Sequence, residues 1–396
     1  MALRPYRTTR GCNILPMVGS SADLHLAMLG IRGPDQQPVS MRDGFFVKRH
    51  ADAEIKQMAA LGINSVRFWG SFMSWFMDPK EYLENLSYYC SQLNRYGIDM
   101  QFILFNQVPA GSASGGNGSA GLIAAGGNDR EALRTVLWTL DNAWQLSSPT
   151  KPVGARQLSH WPEPRDLNEW DAHGAFLPGS DTIDAFCLKY AQDMARFFST
   201  GIGKTVYHSM DLYNEVNVAA ANPTRWANVR DMVKQIEQAV RVIQPEARLG
   251  CGMAGVPGLR TQELVQAGVK VDFLSVHVYD GANPGPYFDA GIAEAKFCGI
   301  PPENIMVTEC YIIPTDHERM GNYTSALVSR SIGGYLWSML RNNVYVNTGV
   351  NNGPIDGLMR CSQPGLTIRT IDDLTFEPTE QKDLETSQTW FRTVYT

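Results

Sequence analysis

Eight short apolar runs recur along this chain, and stretches of helical periodicity separate most of them. Runs of this length bury as strands, and a helix between two of them carries the chain back so that the strands lie parallel. Eight parallel strands are the number that closes a sheet into a barrel with a side-chain-filled interior. The pattern therefore predicts an α/β fold, a (β/α)8 TIM barrel. The runs are GCNILP (11–16), INSVRFWG (63–70), IDMQFILFN (98–106), TVYHSMDLYNE (205–215), ARLGCGM (247–253), VDFLSVHVY (271–279), NIMVTECY (304–311) and GGYLWSML (333–340).

The intervening segments carry helix signals. KRHADAEIKQMAALG (48–62) sets Ile55, Met58, Ala59 and Leu61 on one side and ends at a glycine. PTRWANVRDMVKQIEQAVRVIQP (223–245) opens on proline, repeats Val229, Met232, Val233, Ile236 and Val240 at helical spacing, and stops before Pro245. One connection breaks the rhythm. Roughly 90 residues separate the third and fourth strands, far more than a βα connection needs. This insertion, residues 107–180, starts with the Gly/Ser/Ala tract GSASGGNGSAGLIAAGGN (111–128), continues through EALRTVLWTLDNAWQL (131–146), and then turns aromatic and polar in WPEPRDLNEWDAHG (161–174). Following a strand, it falls at the catalytic face and is expected to form a lid or cleft wall. DTIDAFCLKYAQDMARFFST (181–200) is the helix expected before strand four. No linker or long repeat divides the chain, so residues 1–396 are read as one catalytic domain whose polar C-terminal segment seals the barrel bottom.

Charge narrows the partners. A net charge of −6 without any run of like charges offers no basic face, so nucleic acid is not expected. No stretch of about 18 apolar residues is present, and no membrane span is expected. The N-terminus shows no apolar core with a cleavage site, so the expected location is the cytoplasm, or outside the cell with the leader removed. Seven scattered cysteines show no metal spacing and are expected reduced and mostly buried. Sequons at Asn85, Asn117 and Asn322 matter only on a secretory route.

Strand periodicity points to a site. Side chains alternate between the helix layer and the barrel lumen. In strand two Ser65, Arg67 and Trp69 oppose Val66 and Phe68; in strand six Ser275, His277 and Tyr279 oppose Leu274, Val276 and Val278. In strand four Tyr207, Ser209, Asp211 and Tyr213 share parity with Glu215, while His208 interrupts the apolar parity. The polar parity is assigned to the lumen. A second carboxylate, Glu309, ends strand seven 94 residues after Glu215, room for three further βα units. Two carboxylates facing one another across a barrel mouth are what glycoside hydrolysis requires.

On these residues the chain resembles the clan A glycoside hydrolases, most nearly glycoside hydrolase family 5, the retaining (β/α)8 group. The resemblance implies that Arg67 in SVRFW hydrogen-bonds the nucleophile, and that YNEVN supplies Glu215 as acid/base and Asn214 as the contact to the substrate 2-hydroxyl. It implies that SVHVY places Tyr279 near the nucleophile and His277 near the acid/base. VTECY then carries Glu309 as nucleophile, and GGYLWSM carries Trp337 as a sugar platform. Two departures stand out: Asn106 where the family commonly has histidine, and Asn-Glu-Val in place of Asn-Glu-Pro. Glu309, beside a cation and a donor, is expected to stay ionised, and Glu215 to hold a proton near neutrality. Trp69, Trp161 and Trp170 are further candidates for cleft walls.

The expected function is hydrolysis of β-glycosidic bonds in an oligo- or polysaccharide by double displacement, without cofactor or metal. The alternatives are a non-hydrolytic carbohydrate-binding barrel, a lyase using the same carboxylates, and a transglycosylase using the same cleft. Other motifs carry less. GIGKT (201–205) lacks the first glycine of a phosphate loop and precedes a strand. Asn168 and Glu169 repeat the Asn-Glu pair in a loop without a strand before it, and His160, Asp171 and His173 read as solvated loop residues.

Overall fold

The apolar runs pair in parallel in the computed structural model, which describes residues 3–14, 48–70, 75, 79–105, 183–217, 223–255, 260–279, 283–310, 317–337, 359–362, 375–378 and 381–393. The strands are β1 (Arg10–Asn13), β2 (Ser65–Trp69), β3 (Asp99–Ile103), β4 (Tyr207–Asp211), β6 (Leu274–Val278), β7 (Ile305–Cys310) and β8 (Gly333–Leu336). The fifth run breaks at Cys251 into two pieces, Leu249–Gly250 and Gly252–Ala254, together β5. The order β4-β3-β2-β1-β8-β7-β6 has the first piece of β5 on β4 and the second on β6, so one short strand joins both ends. The expected (β/α)8 barrel forms.

The helices follow the sequence periodicity. They are α1 (Lys48–Leu61), α2 (Pro79–Arg95), α3 (Ile183–Ser199), α4 (Gly201–Val206), α5 (Pro223–Ile243), α6 (Arg260–Gln266), α7 (Gly285–Phe297), α8 (His317–Ser329) and α9 (Gln381–Phe391). In α1, Ile55 and Met58 are fully buried, and the helix stops at Gly62, whose φ of +90° is a left-handed conformation that glycine adopts without strain. In α5, Val229, Val233, Ile236 and Val240 are fully buried, one stripe turned to the sheet. Truncating Ile55, Met58 or Ile236 to alanine would cost roughly 2–5 kcal/mol. The C-terminal α9 sets Trp390 under the Arg10 guanidinium, 5.1 Å from the ring centroid, at the start of β1.

The lumen is layered. Tyr6, Phe273, Met306 and Tyr335 form an apolar plug at the N-terminal end. Above it lies a polar layer in which Ser65 meets Tyr335 at 2.9 Å, Gln101 meets Ser209 at 3.2 Å and Ser275 meets Thr308 at 2.5 Å. The layer pairs these hydroxyls and the Gln101 Nε2 inside the barrel, while Gln101 Oε1 has no hydrogen-bond partner among the described residues. The functional groups stand on top of it.

Two expectations about strand four need correction. Residues 201–206 form α4, so the strand starts at Tyr207, and it ends at Asp211, short of Glu215. The β3–β4 pairing jumps from Met100–Tyr207 to Gln101–Ser209, leaving His208 as the extra residue of a bulge. The bulge reverses the alternation. Tyr207 packs on Phe198 of α3, and His208 turns inward to Thr9 (3.2 Å) and Ser209 (2.8 Å). The insertion 107–180, with Asn106, Trp161, Trp170, Asn168, Glu169, His160, Asp171, His173 and sequon Asn117, lies outside the described residues. Six described cysteines are free and all but Cys298 are buried. Among the described residues no helix is long and apolar enough to cross a membrane.

Candidate active site

Arg67 is the hub of the barrel mouth. It is fully buried on β2, and its two terminal nitrogens serve four side chains from three other strand ends. Nη1 donates to Glu309 Oε1 at 2.5 Å and to Asn13 Oδ1 at 3.0 Å. Nη2 donates to Asp211 Oδ2 at 3.0 Å and to Asn214 Oδ1 at 2.6 Å. A planar fork can hold such a set; a lysine ammonium cannot. Burial alone would favour losing the proton, but the charges of Glu309 and Asp211 more than offset it and hold Arg67 cationic.

Glu309 reaches this hub through a bulge. Val276 pairs with Val307 and His277 with Glu309, so Thr308 is the extra residue. Strict alternation would turn Thr308 inward and Glu309 out. With the bulge both face the lumen: Thr308 Oγ1 meets Ser275, and Glu309 meets Arg67 and accepts from the Tyr279 hydroxyl. The Thr308 carbonyl accepts from Asn13 Nδ2 at 2.8 Å.

Glu215 is placed by a turn. After Asp211 the chain leaves the sheet, Asn214 N–H donates to the Phe105 carbonyl at 2.8 Å, and Glu215 takes a φ of +53°. A non-glycine residue there carries local strain and needs support. Asn217 supplies some of it, donating to the Ala254 carbonyl at 2.9 Å and accepting from the Ala254 N–H at 2.8 Å. Parity therefore does not place Glu215, and Tyr213 belongs to the apolar core.

His277 stands between the carboxylates. Its Nδ1 lies 3.1 Å from Glu215 Oε1 and 3.4 Å from Glu309 Oε2. Burial lowers its pKa to about 4, a shift Glu309 opposes and Arg67 reinforces, so the ring is neutral at pH 7. The proton then belongs on Nδ1, facing two acceptors, with Nε2 a lone pair. The two carboxyls differ in environment. Glu215, with 29% of its side chain exposed, has its pKa raised by burial and lowered less by Arg67. Tyr279 is partly exposed as a residue, but its hydroxyl is held protonated by burial and by the charge of Glu309.

The mouth has aromatic walls. Trp337 and Trp69 meet edge to face at 5.7 Å between centroids, and the Arg67 guanidinium lies 5.3 Å from the Trp69 ring centroid. Of the sequence-assigned residues, Arg67, Asn214, Glu215, His277, Tyr279, Glu309, Trp69 and Trp337 gather at this end of the barrel. Asn13, Asp211, Asn217 and Gly252 were not assigned from the sequence. Gly252 N–H donates to Asp211 Oδ1 at 2.9 Å, and a Cβ at 252 would stand 3.0 Å from both Asp211 Oδ2 and His277 Nε2. Asp211 and Asn13 each end a strand on its lumen parity, and that was the signal available for finding them.

Among the described residues one trio, Glu215, His277 and Glu309, offers ligand atoms within 4.8 Å of one another. It fits a metal poorly. Arg67 already supplies the cation for Glu309, and His277 Nε2 has no hydrogen-bond partner among the described residues, whereas a metal-bound histidine donates its second N–H.

No family model and no curated protein matches the chain. Solved structures do. The exo-β-1,4-mannosidase Op5Man5 from Opitutaceae bacterium strain TAV5 superposes with a TM-score of 0.53 at 16% identity, over 96% of this chain and 58% of that one. The chain thus spans less than two thirds of that protein's length. A glycoside hydrolase family 5 mannosidase from Rhizomucor miehei gives 0.52 at 15% identity, over 97% of this chain and 92% of that one. A β-glucosidase designated 1317 gives 0.51 at 14%, over 96% and 98%. At these identities the likeness is one of fold, and the fold of this chain is the (β/α)8 barrel of those glycoside hydrolases.

Proposed function

We propose that this protein is a retaining glycoside hydrolase acting on β-linked neutral sugars. One observation carries the reading: two carboxylates with oxygens within 4.8 Å of each other sit in unlike environments, Glu309 on a buried arginine and a tyrosine hydroxyl, Glu215 on a neutral histidine. Separations of about 5–5.5 Å accompany retention, and inversion needs roughly 6.5–9.5 Å to admit a water.

In the first step Glu309 attacks the anomeric carbon, the bond to the leaving oxygen breaks, and that oxygen takes the proton from Glu215. Burial raises the pKa of Glu215, which favours the protonated form that an acid needs. Esterification removes the negative charge of Glu309, which makes it easier for Glu215 to act as base. It then takes a proton from water, whose oxygen displaces Glu309 and restores the starting configuration. Arg67 holds the Asn214 amide by its oxygen, and in this reading Asn214 meets the sugar 2-hydroxyl. Trp337 and Trp69 offer indole surface for a pyranose face. The names of the structural neighbours support β-mannosides and β-glucosides as first substrates.

The test is an aryl β-mannoside and β-glucoside panel on the full chain, Glu215→Ala and Glu309→Gly. Azide should restore turnover to Glu215→Ala with a β-glycosyl azide and to Glu309→Gly with an α-glycosyl azide. Wild-type turnover that persists in both variants would overturn the assignment.

A further inference from the structure

We propose that Asn13, the last residue of β1, is a positioning residue for the nucleophile; the proposal rests on the assignment of Glu309 above. Asn13 is fully buried. Its amide is committed at both ends. Oδ1 accepts from Arg67 Nη1 at 3.0 Å, the same nitrogen that donates to Glu309. Nδ2 donates to the Thr308 carbonyl at 2.8 Å and to the Leu336 carbonyl at 3.3 Å.

The Thr308 carbonyl belongs to the bulge residue that turns Glu309 into the lumen. A bulge leaves its extra residue outside the regular ladder, and a buried carbonyl without a donor costs about 1–3 kcal/mol. Asn13 supplies that donor. One side chain thus fixes both the backbone that carries the nucleophile and the cation that orients it. Asparagine is the residue type that can do this at neutral charge, with an acceptor toward the guanidinium and a donor toward the carbonyl. Aspartate, of the same shape, would keep the acceptor, lose the donor and place a third carboxylate on Arg67 beside Glu309 and Asp211.

Two variants of the full chain test this on 2,4-dinitrophenyl and 4-nitrophenyl β-glycosides of whichever sugar the wild type hydrolyses. Asn13→Ala should lose roughly 10- to 100-fold in kcat/KM, since displacement of a reacting group by about 1 Å costs this much. The loss should be equal for both leaving groups, because attack is impaired and protonation by Glu215 is not. A defect relayed to the acid would shrink with the better leaving group. Asn13→Asp should move the acidic limb of kcat/KM to higher pH. Besides Arg67 and Asp211, the groups facing Glu309 there are His277 on β6, Tyr279 just after it and Glu215 after β4, and none of these is changed. Both variants should retain the wild-type circular dichroism spectrum.

Kinetics within twofold of wild type in both, or an unchanged acidic limb in Asn13→Asp, overturns the proposal. So does loss of fold in both, which would make Asn13 a determinant of the barrel alone. If Glu309→Gly is inactive while the Asn13 variants behave as wild type, only this inference fails. Absence of wild-type turnover on the whole panel overturns the functional reading and the inference with it.

Discussion

Arg67 and Glu309 stand 242 positions apart in the chain and meet at 2.5 Å inside the barrel. Neither group has appreciable access to water, and Asp211 lies on the opposite nitrogen of the same guanidinium at 3.0 Å. Taking three charges out of water costs several kcal/mol per ion, so the cluster stands only while every member is present. The same cluster aims the proposed nucleophile. Stability and chemistry are coupled through one side chain.

Replacing Arg67 should show both effects. Arg67→Met leaves two buried carboxylates facing each other, and about 3–5 kcal/mol of stability should be lost, read as a lower urea midpoint. Arg67→Lys restores the charge without the fork. It should fold more stably than Arg67→Met yet lose at least roughly 100-fold in kcat/KM, because one ammonium cannot orient Glu309, Asn13, Asp211 and Asn214 together.

Tyr279→Phe removes the hydroxyl that donates to Glu309 and keeps the ring of a residue that is 40% exposed. A hydrogen bond to a charged group is worth about 1.5–3 kcal/mol. Turnover of an aryl β-glycoside should fall roughly 10- to 100-fold, while the thermal midpoint stays within a few degrees. A large stability change with unaltered kinetics would contradict this.

Two buried histidines make the fold acid-sensitive. Burial lowers the pKa of His208 and His277 to about 4 each, against 6.5 for the free side chain. Between those values the unfolded chain binds more protons, so stability is full above about pH 6.5 and is lost as the pH falls toward 4. Each histidine should contribute about 2–3 kcal/mol to the loss between pH 7 and 4.5. His208→Gln, away from the site, should begin less stable at pH 7 but lose less on acidification. Equal losses in variant and wild type would refute the assignment.

Glu54 predicts the opposite trend. It is buried on α1, its Oε1 has no hydrogen-bond partner among the described residues, and desolvation raises its pKa to about 8. The folded state binds the extra proton, so this stability is present below about pH 4.5 and is lost as the pH rises through 8. Glu54→Gln needs no proton to stay neutral. Its stability relative to wild type should grow by on the order of 3 kcal/mol between pH 5 and pH 8, measured by urea unfolding at both.

The sequence by itself determined the barrel. Strand and helix periods are local properties, set by which side of each segment avoids water, and Ile55, Met58, Val233 and Ile236 are buried where that rule puts them. It also set Arg67, Ser275 and His277 on the lumen side, because those stretches of β2 and β6 keep strict alternation. What only the tertiary structure decided is how the carboxylates come to face each other. Glu309 points inward through a bulge at Thr308, and Glu215 through a left-handed turn beyond the end of β4. Both breaks in period depend on partners far along the chain, Asn13 for one and Ala254 for the other. Alternation counts residues within a strand; it carries no information about where a distant strand supplies the hydrogen bond that lets the count slip by one.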